Sequence, residues 1–558
     1  MGAPPGHGSS RVRILIFHGY LLSGTGSNVY NAQLARALVR LGHEVHLFSQ
    51  DRHPASLDFV DAVGDWDGGA LRVRRLGPGT GSGPGAGSRP GAGSRPGAGD
   101  GPVRCTVYRP NIGGVLPVYV GDRYEGVRAR TFTECGDAQI ERYVAANVAA
   151  VEEVRARVRP ELALANHLLM GPAILARALE GEVPYAVAVH GSALEYVLKR
   201  QPERFLVPAR EGLAGASGVL VGSAHTAESL WEAIGDEDLP ARTRLGPPGV
   251  DVELFRPWPA GEAGARLREL VARLEEAAAG EVGPPGRQDH ADAFARDPRQ
   301  AARALAAIDP ERELLVAYVG KLIVSKGVDL LLAAWPLVLE RVPDARLLII
   351  GFGALREGLE QFVGTLAEGD LDGARAFARG ARALEGAEGP PLGHLEAFLA
   401  SLEGVEGARY LAAAATLPQR VTFTGRLEHG ELSRVLPCCR AVVMPSTFPE
   451  AFGMVAVEGA ACGALPISAA HSGMAEVSRV LAEAVPAPVA PWLSLPIDDG
   501  VVAALGERLN AWLTVDDALA GPTREGLVRT VAHHWSWEGV ARGVIAAARG
   551  QLELLPAP

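Results

Sequence analysis

Two lysines and two glutamates are placed where a diphosphate and a pair of vicinal hydroxyls could be held. Lys321 and Lys326 lie in VGKLIVSKG (319–327), and the 558-residue chain has only one other lysine, Lys199. Arginine serves almost everywhere else, so two compact ammonium groups five positions apart suggest a demand for point charges against phosphate oxygens. Glu450 and Glu458 lie in PSTFPEAFGMVAVEGAACG (445–463). There an apolar strand breaks at Pro445, and a short helix is predicted from about Gly453 to Gly463, with Glu450 in the loop before it and Glu458 inside it. A helix start at this point aims the free amides of Phe452, Gly453, Met454 and Val455 at one place, which is an anion site by geometry. Glu458, one to two turns in, can accept hydrogen bonds from vicinal hydroxyls, and Glu450 is free to face a bound sugar. Read alone, either pair is also what a solvated loop and helix would carry.

The elements that must position these groups follow from periodicity. Val12 to Phe17 is a β-branched apolar run, and SGTGS (23–27) is a loop. Leu34, Leu38 and Leu41 recur at helical spacing up to Gly42, and Val45 and Leu47 alternate as a strand, giving a βαβ unit. Such units build parallel, doubly wound sheets whose ligands bind at the carboxyl ends of the strands. Further strands are predicted at 162–165, 185–189 and 218–222, with helices at 137–158 and 171–180. After the Pro-rich passage GPPGVDVELFRPWP from Gly246 a second set begins at LLVAYVG (314–320), with Gly320 allowing close backbone approach. Its other strands are 347–350, 421–423, 441–444 and 465–467.

The expected architecture is α/β: a Rossmann-like domain over 1–247, a second over 248–535, and a C-terminal helix in 536–558 that crosses back to the first. GPGTGSGPGAGSRPGAGSRPGAGDGP (77–102) has no apolar side chain larger than Ala and is expected to be a disordered loop. Helical inserts are expected at about 262–308 and 360–418, the latter too long for an ordinary strand-to-helix connection.

Composition narrows the partners. The net charge is −11, with 26 Lys+Arg against 25 Asp+Glu over residues 1–250 and the acidic excess beyond, which does not suit a nucleic-acid binder. No apolar run approaches the roughly 20 residues a membrane span needs, and no secretory leader is evident, so a cytoplasmic location is expected; peripheral membrane contact stays open. Five cysteines (105, 135, 438, 439, 462) show neither metal-ligand spacing nor an even count, and are expected to be reduced core residues. Vicinal Cys438 and Cys439 are placed on a helix before a strand. His533 and His534 are expected to be packing or surface groups, and His18 and Gly19 either line an acceptor side or are structural.

Taken in order, VGKLxxxKG, GFG (351–353), FTGRLEHGELSRVL (423–436), PSTFPEAFGMVAVEG and HSGMAEV (471–477) resemble family 4 of the retaining, nucleotide-sugar-dependent glycosyltransferases of GT-B fold. PGVDVELFRP (248–257), His190-Gly191 and SGTGSN join them. The resemblance implies two Rossmann-like domains with a cleft between them and hexosyl transfer from a UDP-, GDP- or ADP-sugar to an unknown acceptor, with no cofactor and no metal. It implies that Glu458 binds the ribose and Glu450 the transferred sugar. The amides of Phe452, Gly453, Met454 and Val455 would hold sugar hydroxyls and phosphate, Lys321 and Lys326 beside Gly320 the diphosphate, and Leu427 would flank the base. His190 would reach the donor sugar, and Gly24, Thr25 and Gly26 would approach the phosphate. The family usually has Arg where Lys321 stands, so a point charge replaces a bidentate fork. A sugar-nucleotide epimerase or hydrolase of the same fold would add acids or bases in the N-terminal half. A non-catalytic nucleotide-sugar-binding protein would be expected to lose the paired glutamates, the lysines and His190.

Overall fold

The computed structural model describes residues 11–22, 26–77, 102–120, 128–259, 261–386 except 281–295, and 388–558. The Gly/Pro-rich repeat from 78 to 101, Gly24 and Thr25 lie outside the described residues. The chain forms two compact units, Met1–Gly249 with Trp537–Pro558, and Val250–Ser536.

The first unit is built on a sheet whose described strands are β1 (Arg13–Phe17), β2 (Glu44–Phe48), β3 (Ala62–Asp67), β4 (Ala70–Arg75) and β5 (Cys105–Arg109). After a separate small pair, β6 (Leu116–Val118) and β7 (Ala129–Thr131), it continues with β8 (Leu162–Asn166), β9 (Tyr185–Val189), β10 (Gly218–Val221) and β11 (Thr243–Leu245). The order is β11-β10-β9-β8-β1-β2-β5-β3-β4, parallel except for the antiparallel β3–β4 hairpin at one edge. Strand β1 shows why the sequence reads as a near-continuous apolar run: Ile14 and Ile16 enter one core, and Leu15 and Phe17 enter the core on the opposite face. Helix Gly26–Arg40 covers the first of these faces through Tyr30, Leu34 and Leu38.

The last segment of the chain completes the same face. Helix Trp537–Ala548 sets Trp537 edge-on to Tyr30 with centroids 5.4 Å apart, and Ala541, Val544 and Ala547 join the core with Val12 and Leu220. Leu245 N donates to Pro556 O at 2.8 Å, which ties the chain end to β11.

The second unit carries a parallel sheet of β12 (Leu314–Lys321), β13 (Ala345–Phe352), β14 (Val421–Gly425), β15 (Cys439–Met444), β16 (Leu465–Ala469) and β17 (Ser494–Leu495). Its order, β14-β13-β12-β15-β16-β17, reverses direction between β12 and β15, which is where open α/β sheets leave a crevice. The chain connecting β13 to β14 contains helices Arg356–Ala367, Leu371–Gly380, Gly393–Ser401 and Gly404–Ala414, and Ala263–Gly280 with Pro298–Ala306 precedes β12. Cys438 closes a 3-10 turn and Cys439 opens β15, so the vicinal pair spans a turn-to-strand junction and does not sit on a helix as the sequence suggested. The apolar surroundings of both thiols push their pKa values up.

Candidate active site

The second unit gathers most of the residues singled out above at its switch point. Strand β12 ends at Lys321, and a 3-10 turn, Val324–Lys326, leads through Gly327 into helix Val328–Leu339. Gly327 is required here because its φ is +66° and a Cβ would lie 2.1 Å from Pro445 O. The β12 loop is thereby pressed against the β15 loop, and Thr447 N donates to Ser325 O at 2.9 Å across them. Tyr318 Oη donates to Lys321 O at 2.7 Å and fixes the strand end, and the Glu385 carboxylate of the inserted helices accepts from Val324 N at 2.7 Å.

This contact changes the role expected for two side chains. Lys326 Nζ forms an ion pair with Glu450 Oε1, and the same oxygen accepts from Ser446 Oγ at 2.8 Å. Glu450 is therefore not free to face a ligand, as its loop position suggested. The two charges come from loops locked together by Gly327 and are both partly withdrawn from water, so they satisfy each other. The Glu450 backbone is held as well. Its amide donates to Ser472 Oγ at 2.9 Å, its carbonyl accepts from Gly473 N at 2.9 Å, and His471 Nε2 lies 2.9 Å from Ser446 O. Ser446, His471 and Ser472 were legible only as members of a motif. The local signal is Ser472 itself, a non-glycine residue at φ +54°.

Glu458 lies in helix Met454–Ala461, whose N-cap is Gly453. The first-turn amides, from Met454 to Ala456, have no carbonyl one turn back to accept them. Phe452 stands edge-on to Trp535 with centroids 6.0 Å apart, and Phe452, Val455 and Leu427 are partly buried against the core. The Glu458 side chain is only 6% exposed, with His429 Nδ1 at 3.7 Å from Oε1. Burial pushes its carboxyl up to about 8. Asp329, buried in the first turn after Gly327, is likewise raised to about 7 by burial.

In the first unit, His190 follows β9 and Gly26 opens helix Gly26–Arg40, while Gly24 and Thr25 fall outside the described residues. His190 Nε2 contacts Asn166 Oδ1 at 3.2 Å, and burial and then the His18 charge lower its pKa to about 4. His18, at the end of β1, is buried and hydrogen-bonded on both ring nitrogens. Among the described residues no group of three or more His, Cys, Asp or Glu side chains is placed to hold a metal ion, and no helix is long and apolar enough to cross a membrane.

The fold is GT-B, built from two Rossmann-like units. Within the second unit, residues 401–482, which include Glu450, Glu458 and Leu427, match the family model described as glycosyl transferases group 1. Curated relatives include the D-inositol 3-phosphate glycosyltransferase of Mycobacterium ulcerans (strain Agy99), 25% identical over 56% of this chain and 46% of the relative. The protein of that name from Mycobacterium bovis (strain BCG / Pasteur 1173P2) is 26% identical over 46% of this chain and 41% of its own length. The matched region thus spans less than half of these relatives. Among solved structures, sucrose-phosphate synthase from Thermosynechococcus elongatus aligns with TM-score 0.54 and 18% identity, covering 98% of this chain and all of that one. HepE from Anabaena in complex with UDP and glucose aligns at TM-score 0.53 and 14% identity, over 97% of this chain and all of HepE.

Proposed function

We propose that the protein is a retaining glycosyltransferase of family 4 that takes a sugar from a nucleoside-diphosphate sugar, with no metal and no cofactor, at the switch point of its second unit. The observation that carries this reading is Glu458, a buried carboxyl inside the helix that follows the switch-point loop, whose oxygens can accept from the vicinal hydroxyls of a ribose. The first-turn amides from Met454 onward and the ammonium groups of Lys321 and Lys326 take the diphosphate, and Leu427 flanks the base.

In the reaction the bond from the sugar's anomeric carbon to the phosphate oxygen breaks, and the acceptor oxygen bonds to that carbon on the same face. The acceptor's proton passes to the departing phosphate. Charge grows on the diphosphate as the bond breaks, so fixed cations and amides stabilise the transition state more than the bound substrate. Lys326 enters this chemistry already paired with Glu450, and a diphosphate arriving at its ammonium leaves Glu450 to accept from a hydroxyl of the transferred sugar.

Because UDP and UDP-glucose occupy structural neighbours, UDP-sugars are the first donors to try, and a cytoplasmic pool would supply them. The test is a thermal-shift screen of UDP-glucose, UDP-N-acetylglucosamine, GDP-mannose and ADP-glucose, followed by transfer of a radiolabelled sugar, with inositol 3-phosphate among the acceptors. A donor at 100 times its dissociation constant adds about 2.7 kcal/mol. If no nucleotide sugar shifts melting or is turned over, the reading fails.

A further inference from the structure

The first unit contains a chain of side-chain hydrogen bonds whose direction is fixed by backbone carbonyls at Asn31 and His18. Asn31 Nδ2 donates to Ser27 O at 2.8 Å, and a carbonyl can only accept, so the orientation of the Asn31 amide is determined. Its second proton goes to His18 Nδ1 at 2.9 Å. His18 Nε2 must then carry the ring proton, which it donates to Leu21 O at 2.9 Å, with Asn28 Oδ1 at 3.1 Å. On the other side, Asn31 Oδ1 accepts from Asn166 Nδ2. That contact turns Asn166 Oδ1 toward His190 Nε2, 3.2 Å away.

An amide oxygen accepts, so His190 has to donate through Nε2. His18, Asn28, Asn31 and Asn166 are each no more than 3% exposed, so water does not compete for these bonds. Three consecutive strands of one sheet, β9, β8 and β1, and the helix over them each contribute a member. The His190 ring is further boxed by Tyr30 and His167, each edge-on at 4.9 Å. Nδ1 of His190 has no hydrogen-bond partner among the described residues.

From this arrangement we infer that Asn166 is a positioning residue that locks His190 in the Nε2–H tautomer, so that its Nδ1 lone pair is presented to a hydroxyl of the sugar substrate. The low pKa of His190 is consistent with a ring that stays neutral, since a protonated ring would offer a second donor and no acceptor. The assignment rests on the glycosyltransferase reading for the identity of the hydroxyl but not for the tautomer.

The tautomer is read directly from long-range nitrogen–proton correlation spectra of the full-length protein labelled with 15N-histidine, with His190 assigned by its loss in His190→Gln. The expected result is Nε2 protonated and Nδ1 bare in the wild type, and a mixture of tautomers in Asn166→Ala. Turnover of whichever of UDP-glucose, GDP-mannose or ADP-glucose the protein binds is expected to fall about tenfold or more in Asn166→Ala. The double variant with His190→Gln should be no worse than His190→Gln alone. A wild type with the proton on Nδ1, or an Asn166→Ala protein that keeps the Nε2–H form, overturns the proposal without touching the donor site. Loss of the tautomer with normal turnover overturns the positioning role. If His190→Gln also turns over normally, the error lies in assigning His190 to the sugar, and if no donor is turned over at all, the enzyme reading has failed while the tautomer result stands.

Discussion

The proton on Glu458 gives a way to test the ribose assignment without knowing the acceptor. Burial sets its pKa near 8, far above the ordinary value of 4.5. In the empty protein at pH 6 only about one molecule in a hundred then carries the ionised carboxylate. If both ribose hydroxyls donate to Glu458, they draw out the ionised form and a proton leaves as the nucleotide binds. Affinity for UDP-glucose, or for the nucleotide sugar that binds best, is then expected to rise about tenfold per pH unit between 6 and 8 and to level off above, a gain of about 1.4 kcal/mol per unit. Calorimetric titration at pH 6, 7 and 8 in two buffers of different ionisation enthalpy gives both the affinity and the protons released. Glu458→Gln keeps the shape, loses the charge and should bind weakly with no pH slope; a hydrogen bond to a charged group is worth about 1.5–3 kcal/mol. The same shift acts on folding. With the folded pKa raised, the folded state holds a proton that the unfolded chain has lost, so stability is full below about pH 4.5 and is lost as pH rises toward 8. Melting of the empty wild type should therefore fall relative to Glu458→Gln over that window. Flat affinity with no proton release in the wild type, or a slope that survives in Glu458→Gln, would refute the assignment.

Lys326→Ala removes a cation from the diphosphate site and strands Glu450, so turnover should drop on the order of a hundredfold, about 3 kcal/mol in the barrier. The pair is partly exposed, with side chains 29% and 25% accessible, so folding stability should fall by only about 1 kcal/mol, and equal losses in both measurements would mark the pair as structural. Lys321→Arg should cost less in turnover than Lys326→Ala, because the charge is retained and only its shape changes. Gly327→Ala puts a methyl 2.1 Å from Pro445 O at φ +66° and should lower the melting temperature by several degrees, separating the two switch-point loops; a protein that melts normally would show that the close approach is relaxed in solution. Gly26→Ala meets no atom within 4 Å, but Gly26 has φ +25°, where an L side chain is strained, so melting should fall modestly, which a thermal scan checks.

Strands buried on both faces declare themselves through runs such as Val12–Phe17 and Leu314–Gly320, which is why both βαβ series could be read from residues alone. The β3–β4 hairpin escaped because β4, ALRVRR, lies at the sheet edge with every side chain but Leu71 exposed, and its apolar alternation is confined to Leu71 and Val73. Strand β5 escaped because CTVYR follows directly on a Gly/Pro-rich stretch that dominates the local reading. At the candidate site, residue types and their order along the chain were legible, and contacts between loops were not. Nothing in the spacing of Lys326 and Glu450, 124 positions apart, says that their loops meet, since that depends on β12 and β15 being neighbours and on Gly327 having no side chain. The polar chain through Asn31 and Asn166 was invisible for the same reason. Asparagines 135 positions apart carry no periodicity, and their partnership exists only once β8 lies beneath the helix.

The return of Trp537–Pro558 to the first unit has a consequence during synthesis. The face formed by Tyr30, Leu34 and Leu220 lacks Trp537, Val544 and Ala547 until everything from Val250 to Ser536 has been translated. At roughly 5–20 residues per second that interval lasts about 15–60 s. Throughout it the nascent first unit shows an apolar strip to solvent while the second unit, continuous in sequence, can already fold. The first unit's core is thus completed after the second unit has emerged, and the exposed strip is covered only when Trp537–Pro558 packs onto it.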